Sequence, residues 1–218
     1  MKNLALVFLI IFIFLSCQTE PHPPSFLDII KYSEALKGYS EYLNSPYVTA
    51  GDRLYIIGHQ NGTFPEHGWH VKGEMGGIWN HPIKLLDGFD LSIKTADATW
   101  ALNNAKQFTN YPVGNVMSFE NESLGLQVEK LQFVPDRTEG AVVELSITNT
   151  GSAAIEFDLL MKPYFDLMPV WISERLDIEN GPDAITWNEA GYFTAKDQNN
   201  SWYAMMGTEN TENVKSAD

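Results

Sequence analysis

Apolar and polar residues alternate along this chain in three successive ways. Leu4 to Leu15 is an unbroken apolar run. Between Ser25 and Asn44 the apolar residues recur at three- and four-residue intervals: Ile29, Tyr32, Leu36, Tyr39 and Leu43. That spacing predicts one face of a helix packing on the rest of the chain, with Ser25 as N-cap, Asp28 in the first turn and Asn44-Ser45-Pro46 as the stop, although Gly38 weakens it. From Tyr47 onward the period is two. Val143, Leu145 and Ile147 alternate with polar residues, and so do Ile155, Phe157 and Leu159 beyond Asn149-Thr150-Gly151, which predicts an antiparallel hairpin. Asp87-Gly88 reads as a turn between Ile83–Leu86 and the alternating Phe89, Leu91 and Ile93. Leu124, Leu126 and Val128 alternate as well; Trp187 to Ala195 predicts a hairpin about Glu189-Ala190-Gly191, and Trp202 to Met206 a last short strand. Many short strands without interleaved helices predict a mainly β fold, an antiparallel β-sandwich with a short N-terminal helix. No fixed-period repeat occurs, which disfavours a propeller or solenoid.

The leading apolar run is short for a membrane span and follows Lys2, as in a signal peptide. It ends in Leu15-Ser16-Cys17, which resembles a bacterial lipoprotein processing site, with the only cysteine of the chain at the acylated position. The expected organisation is a signal peptide and lipobox over residues 1–17, a Pro-rich tether and helix over 18–46, and a β domain over 47–218. The resemblance implies lipidation of Cys17 and a place in the bacterial cell envelope, at the outer membrane or in the periplasm, with the acyl chain holding the protein to the membrane.

Composition narrows the choices. The 218 residues include 14 Lys+Arg and 28 Asp+Glu, a formal charge of −14. No basic patch is visible, so a nucleic-acid partner is not expected. A single cysteine excludes an intrachain disulfide framework and a thiolate zinc site. The 12% aromatic content suits a packed core.

Residues 58–90, GHQNGTFPEHGWHVKGEMGGIWNHPIKLLDGFD, concentrate the candidate chemistry. Four of the five histidines are here, His59, His67, His70 and His81. His67 and His70 lie three apart beside Glu66 and Glu74, but the surrounding glycines oppose a helix, and in a strand such residues point to opposite faces. No HExxH, GxSxG or SxxK signature occurs, and Gly73-Glu74-Met75-Gly76-Gly77 places an acid where a phosphate loop needs none. No metal and no cofactor are expected. The residue types suit carbohydrate: sugar C–H faces stack on Trp, and hydroxyls bond to polar side chains. Trp69, His70, Glu74, Trp79, Asn80, His81, Lys84 and Asp87 are the candidate contacts, the two tryptophans being equally suited to a core. The carboxylate pairs Glu66/Glu74 and Asp87/Asp90 have no separation readable from sequence, so no glycosidase pair is assigned.

The stretch Gly51–Phe89, above all GWHVKGEMGGIWNHPIKLLDGF, together with GLQVEKLQFVPDRTEGAVVELSITNTGSAAIEFDLLMKPYFDL, resembles the N-terminal region of bacterial glycogen-debranching-like glycoside hydrolases. The resemblance covers most of residues 47–205. It implies a galactose-mutarotase-like supersandwich that precedes a six-hairpin helical toroid. The catalytic carboxylates of such enzymes lie mainly on the toroid, so no catalytic residue carries over. The expected partners are an oligosaccharide or polysaccharide, the missing C-terminal toroid and, through the lipid, a membrane. The alternatives are a free-standing carbohydrate-binding lipoprotein, an aldose-epimerase-like enzyme using His70 and Glu74, and a structural envelope lipoprotein.

Overall fold

The computed structural model describes residues 24–66, 75–170, 175, 177–209 and 214. The lipobox with Cys17 lies outside the described residues, as do Trp69, His70 and Glu74. The protein is mainly β, with antiparallel sheets and one short N-terminal helix, as the alternation predicts.

The helix is much shorter than the three-and-four spacing predicts. Ser25 caps it as expected, its Oγ accepting from the Asp28 N–H at 3.0 Å, but α1 covers only Phe26–Ile30. Leu27 and Ile30 are its buried residues, whereas Ile29, Tyr32, Leu36 and Tyr39 are exposed. The chain leaves the helix because it finds a sheet edge. β1 (Leu36–Lys37) pairs with β7 (Gln107–Tyr111), and Gly38 approaches β7 closely, its N–H donating to the Phe108 carbonyl at 2.8 Å. A Cβ on Gly38 would press on Gln60 Oε1. A 3₁₀ turn at Ser40–Tyr42 completes the segment.

Five strands form one sheet in the order β1-β7-β8-β9-β10, with β8 at Gly114–Asn121, β9 at Leu126–Phe133 and β10 at Val142–Asn149. A second has the order β11-β5-β4-β3-β2, from β2 (Pro46–Ala50), β3 (Tyr55–His59), β4 (Gly77–Asn80), β5 (Ile83–Lys94) and β11 (Asp158–Pro169), with β6 (Thr99–Ala101) also pairing β5. The third is β12 (Asp183–Asn188), β13 (Tyr192–Asp197) and β14 (Tyr203–Gly207). The β12–β13 hairpin turns at the predicted Gly191, whose φ is +94°, and β14 is the predicted last strand.

Two predicted connections are corrected. The runs on either side of Asn149-Thr150-Gly151 do not pair with each other. β10 pairs with β9 in the first sheet, and β11 pairs with β5 in the second. The local turn is real, with Asn149 Oδ1 accepting from the Gly151 N–H at 2.9 Å, but the chain then crosses between sheets. Asp87-Gly88 is likewise not a turn. It lies inside the continuous twelve-residue strand β5, as a bulge.

The two larger sheets contribute to one apolar cluster, including Tyr47, Ile56, Leu86, Phe89 and Ile93 from the second and Phe108, Met117, Phe119 and Val128 from the first. On the other side of the first sheet, α1 sets Leu27 and Ile30 against Val116 and Leu131. Glu144 on β10 holds the helix there, its carboxylate accepting from the Phe26 and Leu27 N–H groups at 3.0 and 3.2 Å. Charge-assisted bonds of this kind contribute about 1.5–3 kcal/mol when buried, less where water competes. Glu144→Ala is therefore expected to cost about 1 kcal/mol and to raise amide exchange in α1 selectively; unchanged exchange there would show that packing alone holds the helix.

Candidate functional site

The site begins with a break in a strand. β5 buries Lys84, Leu86 and Gly88, then shifts phase and buries Phe89, Leu91 and Ile93. Against β11, Gly88 faces Tyr164 and Leu86 faces Phe165, so Asp87 is an extra residue without a partner. One step further, Leu86 faces Phe165 and Lys84 faces Met168, so two residues of β11, Asp166 and Leu167, oppose Leu85 alone. Two bulges, one on each strand, thus lie side by side. Bulges bend a strand and re-aim its side chains.

Re-aiming matters for the residues involved. In an unbroken strand, residues 84 and 87 would point to opposite faces. The extra residue cancels that opposition, and the Lys84 ammonium forms an ion pair with Asp87. Asp166 Oδ2, from the facing bulge, lies 4.0 Å from the same ammonium. Lys84 is 1% exposed. The indole of Trp79, its cross-strand neighbour on β4, lies 5.8 Å away. One buried cation therefore stands between two partly exposed carboxylates on different strands.

A cleft of about 510 Å³ opens at this point. Among the described residues it is lined by Phe64, Pro65 and Glu66 after β3, Gly76 before β4, Lys84, Asp87, Phe89 and Asp90 from β5, and Tyr164, Asp166 and Met168 from β11. Phe64 packs on Phe89 with ring centroids 5.0 Å apart. Tyr164 donates its hydroxyl to Asp90 Oδ2 at 2.5 Å, and this bond to a carboxylate raises the phenol's pKa. Asp166 is pushed above the usual carboxylate range by burial, then by the negative charges of Asp87 and Asp183, with Lys84 opposing. Asp183 is raised mainly by burial, and its Oδ2 accepts from the Leu167 N–H at 2.8 Å, which ties the third sheet to the bulge in β11. Among the described residues no group of three or more His, Cys, Asp or Glu side chains is placed to hold a metal ion.

The structure brings two of the sequence candidates, Lys84 and Asp87, to the cleft wall. Trp79 is buried, donates its indole N–H to the Gly76 carbonyl at 3.1 Å and stacks on Tyr55, so it forms the floor under Lys84. His81 is exposed, with its ring stacked 6.4 Å from that of Trp79, and Asn80 precedes it where β4 ends; neither lines the cleft. Sequence reasoning missed Phe64, Phe89, Tyr164, Asp166 and Met168. Asp166 carried one signal, an acid that interrupts the apolar stretch of β11 between Phe165 and Leu167.

Compared with models of known protein families the chain has no match, and no curated protein matches it.

Proposed function

We propose that this chain is the N-terminal, non-catalytic β-sandwich of a lipid-anchored glycoside hydrolase of the bacterial cell envelope, and that its cleft holds part of an α-glucan-like or other oligosaccharide. The cleft carries this reading. Phe64, Phe89 and Tyr164 offer apolar and aromatic walls, and Asp87, Asp90, Asp166, Glu66 and Lys84 offer the donors and acceptors that sugar hydroxyls require. The two larger sheets, sharing one apolar cluster, suit the sandwich that the sequence resemblance implies. Exposed Leu159, Leu160, Ile185, Tyr203 and Met205 are apolar surface of the kind a further domain would cover. A free-standing carbohydrate-binding lipoprotein is the second reading, favoured by the cleft being walled by this chain's own residues.

Calorimetric titration of the protein with a panel of neutral oligosaccharides tests both. Saturable binding is expected. Asp87→Asn removes the carboxylate from the Lys84 pair and should weaken binding about tenfold; it should also lower the unfolding midpoint, because Lys84 stays buried with only Asp166 at 4.0 Å to compensate it. Absence of binding across the panel would overturn the cleft assignment. The two readings then separate by the size of the native protein in its source cells, since only the first requires a band several-fold larger than 24.5 kDa.

A further inference from the structure

Four of the five residues whose spacing predicts a buried helical face, all but Leu43, are instead among the most exposed apolar residues described. Tyr32 is 85% exposed, Leu36 75%, Tyr39 71% and Ile29 56%, and Tyr42 is exposed as well. Five large side chains within fourteen residues is a dense apolar display for a chain of this acidity. They belong to one local unit. α1 is fixed to the outer side of the first sheet by Leu27, Ile30 and Glu144, β1 is the edge strand beside β7, and Tyr39 packs edge-on against Tyr42 at 6.2 Å. Three of the five are tyrosines, whose rings combine an apolar body with a polar tip, the combination enriched where hydrocarbon meets water.

We propose that the segment Ile29–Tyr42 seats in the interfacial region of a phospholipid bilayer, so that the domain lies docked on the membrane. This rests on the reading of Cys17 as the acylated residue. Eight residue steps separate Cys17 from the Ser25 cap, which allows about 28 Å at full extension. However those residues are arranged, the Ser25 cap of α1 stays within that distance of Cys17, and the exposed segment begins four residues later. The charges in the segment and its helix are Asp28, Lys31, Glu34, Lys37 and Glu41, with Lys31 paired to Asp28 at 2.6 Å. There is no basic excess to attract anionic headgroups, and the whole chain is strongly acidic. The contact is therefore apolar and interfacial, and it does not need negatively charged lipid.

The full chain, purified as a bacterial host makes it, is reconstituted in phosphatidylcholine–phosphatidylethanolamine vesicles that contain a phospholipid with a carbene precursor near its glycerol backbone. Adducts are mapped by mass spectrometry after illumination. Labels are expected on residues 29–42. A triple variant, Tyr32→Ser, Leu36→Ser and Tyr39→Ser, should lose roughly fivefold of that labelling while its circular dichroism and unfolding midpoint stay close to those of the parent. Raising salt from about 0.05 to about 0.5 M should leave the labelling unchanged. Labels confined to residues before Ser25, or equal labelling of the triple variant, would overturn the proposal. So would an unlabelled segment that is instead shielded by a protein in the source envelope. The intact mass reports the anchor separately: an unmodified Cys17 defeats the lipoprotein reading, while labels on 29–42 of the vesicle-bound chain still decide the seat.

Discussion

Raising the pH from 7 toward 10 is expected to stabilise this protein. Lys130 on β9 is 1% exposed, with its ammonium 5.7 Å from the Phe89 ring centroid and 5.6 Å from that of Phe119, and it donates to the Gly62 carbonyl at 3.3 Å. Burial, with Asp90 opposing, lowers its pKa from 10.5 to about 7. Between those values the unfolded chain holds a proton that the folded chain has released. Stability then rises with pH by about 1.4 kcal/mol per unit. Below pH 7 both states are protonated and the penalty is constant; above 10.5 both are neutral and it vanishes. Tyr47 limits the gain. Burial raises its phenol well above 10, so above that pH the unfolded state ionises first and stability falls. Denaturant titrations at pH 7, 8.5 and 10 measure the slope. Lys130→Met should be more stable than the parent at pH 7.5 by roughly 2 kcal/mol and should flatten the curve between 7 and 10. A variant that keeps the rise would assign it to another group.

The second large effect is steric and lies under the cleft. Gly77 has φ +97°, and a Cβ built on it would run into the Leu86 carbonyl oxygen across the β4–β5 pair. Gly88 has φ +144°, and its Cβ would meet Cβ and Cγ of Phe64, a cleft wall. Both add backbone strain to overlap. Gly77→Ala is expected to cost at least roughly 3 kcal/mol, because a carbonyl in a sheet has nowhere to move. Gly88→Ala should cost a comparable amount, because its Cβ would overlap Phe64 Cβ and no rotation of the ring moves that atom; the backbone carrying Phe64 must shift, which should also deform the cleft wall. Gly140→Ala is the control: the nearest atom to its Cβ is Thr138 Cγ2 at 3.5 Å, ordinary contact, and the change should stay within about 0.5 kcal/mol. Equal midpoints for all three variants would refute the strain argument.

Alternation made the strands legible, because a strand with one face on the core records its burial every second residue. β9 was readable for that reason, with Leu126 and Val128 buried and Gln127 and Glu129 exposed; the β12–β13 hairpin was readable from its Gly191 turn. Partner choice was not. Asn149-Thr150-Gly151 forms a turn in either outcome, and nothing local tells β10 and β11 to join different sheets. Asp87-Gly88 misled for a related reason: the residues that reverse a chain also tolerate the geometry of a bulge. That bulge is what brings Lys84 to Asp87, so both residues were nameable but their pairing was not. Asp166 and Tyr164 lie almost eighty residues further on and reach the site only through β11–β5 pairing. At the N-terminus, helical spacing described residues of which only Leu43 packs on the core, since periodicity records which side chains can share a face and not whether anything covers it.

The contact between the two larger sheets has a consequence for how the chain avoids wrong assemblies. Tyr47 and Thr49 on β2 reach across to Gln132 and Asn115, each bond 2.5 Å long, and Asn115 and Gln132 are themselves opposite one another on β8 and β9. All four side chains are buried. The next pair along, Val116 and Leu131, faces α1 on the other side. Turning the β8–β9 ribbon over by one residue would put two amides under Leu27 and Ile30 and leave a phenol and a hydroxyl dry against aliphatic carbon. Each such group costs about 1–3 kcal/mol. The mistake is thus penalised on both faces of the ribbon at once.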